Sequence, residues 1–188
     1  MIAELGYVGF ALDMYGKGKI GNTDDEKAAL MNPFIENRTM IPKRIDAALA
    51  TAKSLPMVDG RYIGAIGFCF GGLCVLDFVR SGASILGAVS FHGLLNAPKK
   101  KSDKPMQAKV LVCHGYDDPS VKPDQVIAFA NEMTEAKVDW QIMMYGHTVH
   151  AFTNPKAAEP ALGRRYNKKA DVRSWIAMKD FFKEVFGK

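Results

Sequence analysis

From residue 7 onward, short apolar runs alternate with stretches whose apolar residues recur at helical spacing. The runs at residues 7–12, 62–68, 85–91, 109–114 and 140–145 are predicted strands. Several are continuously apolar, as strands covered on both faces should be. Between them lie predicted helices. Thr23 and Glu26 have the spacing of a capping box, which opens a short helix expected to end before Pro33. A second helix carries Ile41, Ile45, Ala48, Leu49 and Ala52 on one stripe. Residues 71–80 should form a largely buried helix. Pro123 suits a first helical turn, with Val126, Phe129, Ala130 and Met133 following at core spacing. The closing helix is expected to turn Val172, Trp175, Ile176, Phe182 and Phe186 toward the core. Loops are predicted at residues 16–22, 97–105 and 154–166. Strand and helix alternate as in parallel βα units, so the expected class is α/β, a mostly parallel sheet with helices on both faces.

Composition narrows this picture. At 188 residues, 48% hydrophobic and 24% charged, the chain suits one globular domain spanning residues 1–188. No stretch approaches the roughly 20 apolar residues that cross a bilayer, and the start is too short and too acidic for a secretory signal. No membrane partner is therefore expected. Cys69, Cys74 and Cys113 cannot all pair and sit in apolar surroundings, which predicts reduced thiols and a cytoplasmic location. The net charge of +5 comes partly from Lys99-Lys100-Lys101 and Lys168-Lys169. Neither cluster is interleaved with aromatics, so both read as solvated, and no nucleic-acid partner is expected.

Candidate chemistry begins at Gly67-Phe68-Cys69-Phe70-Gly71-Gly72, between a predicted strand and a predicted helix. This has the G-x-nucleophile-x-G form of a nucleophile elbow, with Cys where many hydrolases use Ser. A turn this sharp needs glycines on either side of the nucleophile. It raises the sulfur above the sheet edge at the start of a helix, whose dipole and free N–H groups favour the thiolate. The bland alternative is a structural Cys in a glycine-rich turn. The spacing fits neither G-x-G-x-x-G nor the Walker pattern, so no nucleotide cofactor is expected. Cys74 and Cys113 read as core.

His114-Gly115-Tyr116-Asp117-Asp118-Pro119-Ser120-Val121 follows the run at residues 109–114, which puts a carboxylate on the same sheet edge. Asp118, just before Pro119, is preferred to Asp117, although Asp-Pro is also a plain turn signal. After residues 140–145 comes Gly146-His147-Thr148-Val149-His150-Ala151-Phe152, where His150 is preferred to His147 as base. Two histidines this close suggest a metal pair, but no third ligand is suitably spaced, so no metal is expected. His92 and His114 also end strands and read as structural histidines near the cleft. Nucleophile, acid and base come in the order found in α/β-hydrolases, each after its own strand.

With these residues in view, the chain resembles the dienelactone hydrolase family over nearly its whole length. The resemblance runs from Leu5-Gly6-Tyr7 and Asp13-Met14-Tyr15-Gly16 to the closing helix, and is carried by residues 67–72, 115–121 and 147–152. It implies the α/β-hydrolase fold and hydrolysis of a small-molecule ester or lactone through a thioester on Cys69. His150 would act as base and then acid, Asp118 would orient it, and the Phe70 backbone N–H would be one oxyanion donor. Family members carry further strands and a helix ahead of the segment resembling residues 5–13. The last of those strands should sit between the strands predicted at residues 7–12 and 62–68, and the loop after it supplies a second oxyanion donor. The chain is therefore expected to be an N-terminally incomplete domain. Where the family holds a substrate carboxylate with Arg, four residues after the catalytic His, this chain has Asn154; Arg38 and Arg44 are candidates for another such role. A non-catalytic scaffold on the same fold and a thioesterase are the competing readings.

Overall fold

A run of apolar residues becomes a strand only when a neighbour completes its hydrogen-bond ladder. Four of the five predicted runs meet that condition in the computed structural model, which describes residues 2–100 and 102–187. Lys101, within a predicted loop and a predicted charge cluster, lies outside the described residues. The strands are β1 (Gly64–Phe68), β2 (Gly87–Phe91), β3 (Lys109–Gly115) and β4 (Trp140–Tyr145). They form one parallel sheet in the order β1-β2-β3-β4. Phe68 lies opposite Phe91, Phe91 opposite Cys113, and Gly115 opposite Tyr145, so the strands' C-terminal tips stand level. The two inner strands are the continuously apolar ones and are almost wholly buried.

The chain divides at Arg61 and Tyr62 into two compact units. The second holds the sheet with α3 (Phe70–Arg80), α4 (Pro123–Glu135) and α5 (Lys168–Phe186). Side-chain alternation shows how α3 and α5 flank the sheet. Gly64 and Gly87 pair in register, and a Cβ on either would run into Phe182 or Phe181 of α5. Ser90, an odd number of residues along, points the other way, toward Gly72 of α3. The two helices therefore cover opposite faces, completing the expected α/β architecture. Within the first unit, α1 (Asp24–Glu36) and α2 (Met40–Lys53) are its two α-helices, and Tyr15 and the Arg44 guanidinium both pack on the Phe34 ring. Among the described residues, no helix is long and apolar enough to cross a membrane.

Four expectations need correction. Residues 7–12 form no strand: they pair with no ladder partner among the described residues, and Val8 and Phe10 stay exposed. The capping box of Thr23 and Glu26 forms, but α1 continues through Pro33 to Glu36. Proline sacrifices one N–H there, while its carbonyl still accepts from the Asn37 N–H and Phe34, next along, is buried. In α5 the buried stripe is Ala170, Ser174, Met178, Phe181, Phe182 and Phe186, whereas Val172 and Ile176 face outward. Ser174 tolerates burial because its hydroxyl donates to the Asp171 carbonyl. The predicted loop at residues 154–166 contains a small antiparallel pair, β5 (Ala158–Glu159) and β6 (Arg164–Arg165).

Candidate active site

The turn between β1 and α3 sets Cys69 at φ 53°, a left-handed conformation that non-glycine residues avoid. It is fixed there by its N–H donating to the Phe91 carbonyl and by its carbonyl accepting from Gly72 and Leu73. A Cβ on Gly67 would drive into the Gly71 carbonyl, which is why this turn needs glycine ahead of the cysteine. The sulfur stands at the N-terminus of α3, reachable by solvent, with the Phe70 N–H directed at it. Cys74 and Cys113 are buried, and burial pushes the Cys113 thiol up to about 12.

Asp118 and His150 arrive from the loops after β3 and β4. His150 Nε2 lies 3.1 Å from Cys69 Sγ, and His150 Nδ1 lies 2.7 Å from Asp118 Oδ2. The Ser120 N–H donates to the other Asp118 oxygen at 2.8 Å, so the buried carboxylate is held at both ends. The backbone of His150 is clamped by β6: its N–H donates to the Gly163 carbonyl, and its carbonyl accepts from the Arg165 N–H. Cys69, Asp118 and His150 thus come together within hydrogen-bonding reach. The alternative pair does not: His147 is fully exposed, with Nδ1 3.9 Å from Asp117.

Burial alone would raise the Cys69 pKa, but the hydrogen bond and charge of His150, with the Phe70 N–H, hold it below the ordinary thiol value. For His150 burial opposes the charge, yet the hydrogen bonds with Asp118 and Cys69 outweigh it and raise the ring to about 9. Asp118 is likewise lowered by His150 against the cost of burial. The three groups therefore favour a thiolate–imidazolium pair backed by a carboxylate. Iodoacetamide near pH 7 should modify Cys69 well before Cys74 and Cys113. His150→Ala should slow that reaction, since it removes the hydrogen bond and charge that hold the Cys69 pKa down and so lowers the thiolate fraction. Timed alkylation with peptide mass mapping reads both rates; an unchanged rate in His150→Ala would remove the imidazole as the cause.

His92, the first residue after β2, is closer to this chemistry than its reading as a structural histidine implied. Its ring packs edge-on against His150 at 5.1 Å between centroids. The sequence signal was only its position at the tip of the strand beside the elbow. His114 is buried in the next strand, where burial depresses its pKa. Asn154 closes a turn, its side-chain oxygen accepting from the Lys156 N–H. Arg44 belongs to the first unit, over Phe34; Arg38 lies between α1 and α2.

The model of the dienelactone hydrolase family matches residues 1–186. The chain belongs to the dienelactone hydrolase family. The Caenorhabditis elegans protein K02A2.1 is 39% identical over 149 residues, covering 76% of this chain and 92% of that relative. Among solved structures, the dienelactone hydrolase-like promiscuous phosphotriesterase P91 from metagenomic libraries superposes with a TM-score of 0.90 at 36% identity, covering 97% of this chain and 77% of its own. The structure titled m3DLH gives 0.85 at 35% identity, covering 92% and 72%. Membership of the family supports hydrolysis of a small carboxylic ester or lactone as the reaction class.

Proposed function

We propose that the protein hydrolyses an ester or lactone through a cysteine acyl-enzyme, with Cys69 as nucleophile, His150 as proton carrier and Asp118 as its orienting carboxylate. The observation that carries this reading is the chain of contacts from sulfur to imidazole to carboxylate, 3.1 Å and then 2.7 Å. The Cys69 thiolate attacks the carbonyl carbon, and the carbonyl electron pair moves onto oxygen, where the Phe70 N–H stabilises the developing charge. The Phe70 N–H is among the groups that hold the Cys69 pKa down, which supports its place beside the sulfur. As the tetrahedral adduct collapses, the bond to the alcohol oxygen breaks and that oxygen takes the proton from His150 Nε2. A water molecule then gives its proton to His150 as its oxygen attacks the thioester. Collapse of this second adduct expels the thiolate and leaves a carboxylic acid. Asp118 keeps the Nδ1 side of the ring occupied throughout, so Nε2 faces the sulfur.

The test is intact-protein mass spectrometry after rapid mixing with p-nitrophenyl acetate. An acetyl adduct should build within the first turnovers, map to Cys69 and disappear as substrate runs out. Absence of any adduct, with no release of p-nitrophenol, would favour the scaffold reading. Release without an adduct on Cys69 would move the nucleophile elsewhere.

A further inference from the structure

The support of His150 extends beyond Asp118. We propose that His92 and Thr153 form a latch that fixes the His150 loop to the tip of β2, making His92 a positioning residue for the Cys69–His150 pair. The inference rests on the proposed roles of Cys69 and His150.

The segment that carries His150 is bent twice outside ordinary backbone space, with His147 at φ 55° and Ala151 at φ 57°. Such positions are costly and persist only where their surroundings hold them. From one side the backbone of His150 is tied to Gly163 and Arg165 by hydrogen bonds of 2.9 and 3.1 Å. His92 supplies the other side. Its Nε2 shares a hydrogen bond of 2.8 Å with Thr153 Oγ1. Its ring meets Phe152 edge-on at 5.1 Å, as it does His150. One imidazole therefore touches three of the four residues from His150 to Thr153.

His92 is in turn rigidly held. Its N–H donates 2.9 Å to the Cys113 carbonyl, and its own φ of 40° is a third position in left-handed backbone space. The ring is buried, and burial together with the neighbouring His150 charge pushes its pKa down to about 3. It stays neutral and does not compete with His150 for the proton. Asp118, His114 and His150 are the titratable groups that act on it. Nothing in this arrangement brings His92 to the sulfur itself, so its effect passes through the orientation of His150.

The experiment compares Thr153→Val, which keeps the shape and removes the hydroxyl, with Thr153→Ser, which keeps the hydroxyl, and with His92→Phe, which keeps the ring edge and removes Nε2. Thr153→Val and His92→Phe should each lower kcat on p-nitrophenyl acetate about tenfold, a loss consistent with slight misplacement of a catalytic group. KM should stay within about twofold, since both changes act through the placement of His150. The midpoint pH of Cys69 alkylation should rise in both, as the imidazolium drifts from the sulfur. Thr153→Ser should behave as wild type. The double variant should lose no more than either single change, because both remove one bond. Wild-type kcat and alkylation midpoint in a folded Thr153→Val protein would overturn the latch, as would a double variant that loses the sum of the two. Should His92→Phe fail to fold, the Val and Ser pair at position 153 decides alone. Failure of the underlying reading has a different signature: wild-type Cys69 would itself alkylate with an ordinary thiol's pH dependence, and the latch would fall with it.

Discussion

Cys69→Ala should cut turnover of a small activated ester by about 10⁴-fold or more, the scale seen when a covalent nucleophile is removed from its base. In the proposed reaction the atom lost is the one that forms the bond, and neither Cys74 nor Cys113 can replace it, since both are buried. What remains is the Phe70 N–H and the His150–Asp118 pair, able at best to activate water. The substitution should leave the fold intact, because the Cys69 side chain is solvent-reachable and the glycines that permit the turn are untouched. Steady-state rates with p-nitrophenyl acetate, beside a thermal melt, separate the two effects. Cys69→Ser should retain at most a slow reaction, because a serine hydroxyl, with its far higher pKa, depends on His150 as base at every turnover more than a thiol whose pKa is held down. Wild-type turnover in Cys69→Ala would take Cys69 out of the reaction.

The legible parts of this chain are those where local pattern and long-range environment agree. Residues 140–145 were readable as a strand to the residue, and residues 109–114 to within one, because each apolar run is closed by turn residues. The elbow was readable because a left-handed cysteine between crowded backbones leaves glycine little substitute at position 67. Choosing His150 over His147 and Asp118 over Asp117 depended on motif, since adjacent residues of one type look alike to any periodicity. The geometry separates them by burial: one pair is enclosed at 2.7 Å, the other exposed at 3.9 Å.

The parts that misled are non-local. A strand at residues 7–12 needs a ladder partner, and among the described residues none pairs with it. In α5 apolar residues lie on two sides, so spacing alone cannot tell Val172 and Ile176 from the stripe through Ser174 and Met178. The β5–β6 pair is two residues per strand, too short to show alternation. His92 escaped because its role depends on a loop more than fifty residues away, meeting Thr153 across a sequence separation of 61.

Away from the site, the largest expected stability effect lies in a buried ion cluster between α3 and α4. Arg80, almost fully buried, donates from Nη2 to Glu132 at 2.7 Å and from Nε to the same carboxylate at 3.0 Å. It also reaches Asp77 at 3.3 Å and the Leu95 carbonyl at 2.7 Å, and lies over the Phe129 ring. Glu132→Ala would leave a guanidinium in the interior with its bidentate partner gone. Such removals typically cost about 3–5 kcal/mol, because the remaining charge is neither solvated nor paired. Asp77 and the Leu95 carbonyl remain, so the lower end, about 3 kcal/mol, is expected here. For a chain of this size that corresponds to a fall in Tm of roughly 6–12 °C. The sign distinguishes charge from packing: Arg80→Met with Glu132→Leu and Asp77→Asn, which removes all three charges of the cluster and roughly keeps volume, should recover most of the loss. Thermal melts of the three proteins check this. If the triple variant is as unstable as Glu132→Ala, shape and hydrogen bonding at Arg80, and not its uncompensated charge, hold α3 to α4.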